Sequence, residues 1–192
     1  GVSSAASDVY KRQSIATSVM TMVIWSFGFL RMGTVGIVSQ AYGRADYREI
    51  VKTLLRNFII ALLIAVLIII LTPLINFSIQ HFFNTSTETQ KLISTYINVR
   101  VFSVPAELII YILVGFYLGI QKTNISSLLI VTFSVLNIVF SSVLVLSYNL
   151  NVFGVALGTL IASYITLIIF TFISYNFIIK KFKIIPRFEK LI

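Results

Sequence analysis

Long apolar runs separated by short polar breaks pattern this chain from Ser14 to Ile179. About 20 consecutive apolar residues cross a bilayer as a helix, so five spans are predicted, at about 14–41, 52–76, 91–118, 124–147 and 152–179. The second is the plainest: Asn57 to Thr87 carries no charge and contains FIIALLIAVLIIIL, a block with no polar stripe for water. Between Lys122 and Lys180 lie 57 residues without a charge, enough for two spans and a turn. The breaks, YGRADYRE, NTSTET, QKTN and SYNLN, hold turn-forming residues and are short enough to make successive spans antiparallel neighbours. Pro73 falls in the last turns of the second span, where a kink is tolerated. The expected fold is an all-α integral membrane protein.

Composition excludes the soluble alternatives. Of 192 residues 58% are apolar and 11% charged, and the mean hydropathy is +0.99; soluble domains carry about 25% charge. A net charge of +9 would suggest nucleic acid in a soluble fold, but here the basic residues cluster at the ends of apolar runs, which argues for a bilayer and no nucleic acid. The absence of cysteine excludes disulfides and thiolate metal sites. His81, the lone histidine, is expected in an outer loop, and with Glu107 it makes no catalytic pair, so no enzyme and no cofactor are expected.

Charge also gives orientation. Arg44, Arg48, Lys52, Arg56, Lys122, Lys180, Lys181, Lys183, Arg187 and Lys190 fall on one side of the predicted spans, Lys91 on the other. The positive-inside bias puts the first side, including the basic tail 180–192, in the cytoplasm of a bacterial-type inner membrane. Residues 1–13, GVSSAASDVYKRQ, share neither the hydrophobicity nor the periodicity of the rest. They resemble translated adapter sequence and are expected to be a disordered tail foreign to the fold.

Three charges fall within spans: Arg31, Arg100 and Glu107. Facing lipid unpaired, each would cost about 2.5–3.5 kcal/mol at a helix centre, so they should face the bundle interior or water. Counted from the predicted span starts, Arg31 and Glu107 have similar depth, which predicts a contact between them; Arg100, seven residues before Glu107 on the same face, is the rival partner. Such a pair either registers two helices or serves substrate or ion passage. Among uncharged polar residues, Asn137 and Ser141 share a face of the fourth span, followed by Ser142, while Thr159 and Ser163 lie in the fifth. Oxygen ligands of this kind suit Na⁺ or a proton-coupled water network, and equally suit polar helix packing. Gly115 with Gly119 and Gly154 with Gly158 have the spacing of close helix approach.

FLRMGTVGIVSQAYG (Phe29 to Gly43), VRVFSVPAELIIYILVGFYLGIQKT (Val99 to Thr123), LNIVFSSVLVL and NVFGVALGTLIASYITL, in this order, resemble helices two, four, five and six of the multidrug and toxic compound extrusion (MATE) antiporters, in particular their DinF-like branch. The long apolar span after the basic loop is similar to helix three. The resemblance implies twelve helices in two six-helix lobes, of which this chain would supply helices two to six of the first. Helix one, expected upstream of Ser14, and the second lobe, beyond Ile192, would be partners from the same polypeptide. It further implies exchange of cationic or amphipathic small molecules for H⁺ or Na⁺. The family's cation site combines a helix-one Asp, an Asn and an Asp four apart on helix five, and a Thr on helix six. Asn137 and Thr159 match the Asn and Thr and are the candidate Na⁺ ligands, while Ser141 stands where the Asp would be. A hydroxyl is a weaker cation ligand than a carboxylate, so the expectation leans to proton coupling with Asn137, Ser141 and Thr159 as a hydrogen-bonding shell. Gln40 and Arg31 carry over as lobe-lining positions, with Arg100, Glu107 and Ser163 as further intramembrane polar candidates. The competing readings are a flippase for lipid-linked oligosaccharide or peptidoglycan precursors, which needs several cavity-facing basic residues, and a membrane scaffold that transports nothing.

Overall fold

A computed structural model describes residues 17–18, 20–82 and 87–184. The segment 1–13 and the tail beyond 184 lie outside the described residues. Helical residues 20–26 lead through a turn at 27–28 into α1 (Phe29–Gly43), the two together forming a span Met20–Gly43. There follow α2 (Tyr47–Phe82), α3 (Thr87–Arg100), a 3₁₀ turn Val101–Ser103, α4 (Val104–Gly119), α5 (Thr123–Leu146) and α6 (Asn151–Phe177), which loosens into a π turn over Ile178–Phe182. Five of these helical stretches are long and apolar enough to cross a membrane, and no strand occurs among the described residues. The third of them, Gln90–Gly119, is α3 and α4 joined through the 3₁₀ turn, with Pro105 in the first turn of α4, where its missing N–H leaves no helical bond unmade. α2 runs past Pro73 to Phe82 and takes in His81, which was expected in a loop; Asn76 donates to Asn98 Oδ1 of α3 at 2.8 Å and ties this end of the helix to its neighbour.

The loops that follow α1 and α4 close by the same device. Asp46 N–H donates to Ala41 O and Ala45 N–H to Tyr42 O; Lys122 N–H donates to Tyr117 O and Gln121 N–H to Leu118 O. These paired bonds satisfy the last helical carbonyls, with Ala45 (φ 55°) and Gln121 (φ 61°) in the left-handed conformation the motif requires. Asp46 then accepts the Glu49 amide at 3.1 Å and caps the start of α2.

α4 is the centre of the bundle and packs on α1, α2, α5 and α6. Its Gly115 and Gly119 meet α1 so closely that a Cβ at 115 would lie 2.7 Å from Arg31 O and one at 119 would lie 2.7 Å from a Val38 methyl. Between membrane helices association rests on such close packing, since lipid is as apolar as leucine. One run of rings ties the ends together: Tyr42 to Tyr47, Tyr47 stacked on Phe182 at 4.6 Å, Phe182 to Phe177, and Phe177 edge-on to Phe116 and Tyr117. The end of α1, the start of α2, the end of α4 and the end of α6 are therefore neighbours. This is the end whose adjoining residues are Arg44, Arg48, Lys52, Lys122, Lys180, Lys181 and Lys183.

Candidate functional site

The α5–α6 pair carries the first polar cluster. A Cβ on Gly158 would lie 2.6 Å from Ser141 N and 2.7 Å from its Cα, so only glycine lets the two backbones approach as they do. That approach brings Asn137, Ser141 and Thr159 together. Ser141 Oγ donates to Asn137 Oδ1 at 3.1 Å, and Thr159 Oγ1 lies 3.3 Å from the same oxygen and 3.0 Å from Val155 O. Ser141 Oγ also lies 3.5 Å from Val155 O. Four neutral oxygens thus converge on one spot beside the buried Thr159. The distances exceed the usual 2.7–2.8 Å for hydroxyl donors, so the network is loose. It can accept a donor or a hard cation, but it contains no carboxylate to neutralise a charge.

The second cluster is a cavity of about 260 Å³ between the first span, α4 and α5, lined by Arg31, Arg100 and Glu107 with Trp25, Tyr111 and Phe133 among the rings. All three intramembrane charges foreseen from the sequence meet here. Their pairing differs from the expectation. Glu107 binds Arg100, with both carboxylate oxygens on the guanidinium and Arg100 Nη2 at 3.0 Å from Oε2, while Ser103 Oγ accepts a further Arg100 N–H. The reason is register. Arg31 is level with Gly115, eight residues further along α4 than Glu107, a depth difference of about 12 Å at 1.5 Å per residue. Arg100 lies two turns from Glu107 on the same face of one continuous span and needs no match of depth between helices. Two arginines against one glutamate leave the lining with one net positive charge. Phe133 of this cavity, Asn137 and Ser141 follow one another at single turns along α5, so the two clusters occupy consecutive levels of one helix face.

The MatE family model matches residues 13–143, more than half of the chain. The chain belongs to the MatE family. DNA damage-inducible protein F of Escherichia coli (strain K12) is 36% identical over 155 residues, which are 80% of this chain and 33% of that protein. The multidrug export protein MepA of Staphylococcus saprophyticus is 32% identical over 136 residues, 69% of this chain and 30% of its own. This MatE chain thus spans about a third of the length of these relatives. An outward-facing multidrug resistance MATE transporter of the MOP superfamily shares the fold, with a TM-score of 0.84 at 19% identity, over 95% of this chain and 40% of that one. The MatE assignment and the apolar helices together make this a multi-pass membrane protein.

Other candidates in this MatE bundle stand apart from both clusters. Gln40 is exposed near the end of α1, Ser142 is exposed on α5, and Ser163 is wholly buried with its hydroxyl on Leu160 O at 2.8 Å. Among the described residues, four bonds between spans were not foreseen from the sequence: Asn57 to Thr34 at 2.8 Å, Asn76 to Asn98, Tyr117 to Ser174 at 2.8 Å, and Tyr164 OH to Phe102 O at 3.0 Å. Asn57, Asn76 and Asn98 sit near span ends, where polar residues read as interfacial. The signal that would have singled them out is the amide itself, which needs a partner wherever it is buried.

Proposed function

We propose that this chain forms part of the N-terminal lobe of a secondary multidrug efflux antiporter, exchanging cationic or amphipathic compounds for protons. The observation that carries the coupling is the convergence of Asn137, Ser141 and Thr159 on one oxygen cluster without a carboxylate. Neutral hydroxyls and an amide suit a hydrogen-bonded relay better than they suit a bare Na⁺, whose charge they leave uncompensated. Family membership supports the transport role, and the similarity to the multidrug export protein MepA supports multidrug substrates. The gathering of basic residues at the ring-tied end supports an inner-membrane orientation with that end, and the C-terminal tail, in the cytoplasm.

Ethidium efflux from vesicles carrying the protein tests the coupling. A pH gradient in sodium-free buffer should drive efflux, and strict dependence on sodium would exclude the proton reading. Ser141→Asp, which restores the family's carboxylate, should make efflux respond to sodium where the parent does not. A second reading, flipping of lipid-linked precursors with an anionic head, draws on the net positive charge of the Arg31 cavity. Competition of efflux by an anionic lipid-linked precursor, absent with cationic dyes, would favour it.

A further inference from the structure

The three charged side chains that line the cavity between the first span, α4 and α5 are not equivalent. Glu107 has both carboxylate oxygens on Arg100, and Ser103 accepts a further Arg100 N–H, so this pair is neutral and its polar atoms are engaged. Arg31 is left over. It is half-buried, belongs to the same lining, and makes no ion pair or side-chain hydrogen bond among the described residues. The remaining titratable group of the lining is Tyr111, a phenol that is neutral and able to donate. A guanidinium keeps its proton under all ordinary conditions, and within a membrane span it is costly until an anion or water compensates it. The acid of this cavity is already taken by Arg100, so the compensating anion must come from a ligand or be replaced by solvent.

We propose that this cavity binds a small aromatic carboxylate, with the carboxylate on the Arg31 guanidinium and the ring among Trp25, Tyr111 and Phe133. Charge sets the head of the ligand. The planar fork of arginine matches a carboxylate with two parallel N–H donors, and the pair is stronger in a partly dry cavity than in water. The lining sets the body. Three rings, with Ile24, Ile110, Val114 and Ile130 beside them, suit a flat apolar group. At about 260 Å³ the cavity lies just below the range of about 300–1,000 Å³ usual for small-molecule sites, which fits a ligand of one ring. As a substrate class within the amphipathic compounds proposed above, the carboxylate rests on the transport reading; as a ligand it rests only on the lining.

Trp25 is the single tryptophan of the chain and part of the lining, so its fluorescence reports on the cavity directly. The chain in uncharged detergent micelles is titrated with three quenchers of one shape: 4-nitrobenzoate, 4-nitrobenzamide and 4-nitrobenzylammonium. Quenching by the benzoate should saturate at a concentration about tenfold below that of the neutral amide, the order expected for one charge-assisted contact. The ammonium compound should bind more weakly than either. Arg31→Gln should erase the difference between benzoate and amide, and Arg31→Lys, which keeps the charge without the fork, should retain part of it. Phe133→Leu should weaken benzoate and amide alike. Lys122→Gln removes a charge from between α4 and α5, outside the cavity, and should leave the preference intact. Quenching that does not saturate, equal binding of the three compounds, a preference that survives Arg31→Gln, or an equal loss in Lys122→Gln would overturn the site. Arg31-dependent binding of the benzoate without ethidium efflux would keep the site and reject transport.

Discussion

The third and fourth spans make an instructive pair. In Gln90–Gly119, 72% of the most apolar stretch is buried within the protein; in Thr123–Leu146 the share is 6%, although the fourth is the more apolar of the two. In water the order would be reversed. In a bilayer, hydrophobicity places a helix in the membrane but does not choose its neighbours, because lipid and leucine are equivalent solvents. What recruits α4 to the centre is its small residues, Gly115 and Gly119, and the charged pair at its start, Arg100 and Glu107, which lipid would penalise. α5 has one packed face, on α6 and α4, and presents Leu128, Val135 and Ile138 outward.

The largest effect should come from the charge pair that holds the central span. Glu107→Gln leaves the Arg100 guanidinium buried without its counter-charge and should destabilise by about 3–5 kcal/mol, read as thermal unfolding in micelles. Arg100→Gln/Glu107→Gln should recover most of that loss, and Arg31→Gln/Glu107→Gln should not; the opposite ranking would return the pairing to Arg31. Next come the glycines. Gly158→Val must force α6 off the Ser141 backbone and should cost about 1–3 kcal/mol, as should Gly119→Val against Val38. Gly33→Ala, with nothing within 4 Å of its Cβ, should be neutral or slightly stabilising by helix propensity, about 0.5–1 kcal/mol.

A smaller effect is expected from Asn137→Ala, which takes the common acceptor from Ser141 and Thr159 at a cost of about 0.6 kcal/mol, typical of hydrogen bonds between membrane helices. Efflux should fall well beyond what that stability change explains if the oxygen cluster couples transport, and in proportion to it if the cluster only packs helices. Ile138→Phe on the outward face of α5 should change stability by less than about 0.5 kcal/mol. A larger loss there would mean that this face is packed against protein, and the contrast between the two spans would disappear.

Much of this molecule was legible before any coordinates. Charge-free runs placed the spans because a charge in lipid is expensive whatever the tertiary arrangement. Asn137, Ser141 and Thr159 were recognisable because two lie one turn apart and the third completes a family pattern, and the fold does bring their oxygens together. The meeting of Arg31, Arg100 and Glu107 in one cavity was foreseeable from the same desolvation argument. Their partnership was not. Pairing depends on the register of α1 against α4, and the glycine contact that sets this register places Arg31 two turns too deep for Glu107.

The sequence by itself determined the solvent, the number of apolar spans and which side chains must avoid lipid, since each follows from transfer free energies that act residue by residue. Tertiary structure alone decided that α4 is the hub and α5 the rim, that Glu107 belongs to Arg100, and that α2 and α6 leave an apolar groove between them. Those outcomes rest on backbone approach at Gly115, Gly119 and Gly158 to within contact distance. Hydropathy carries no record of such distances.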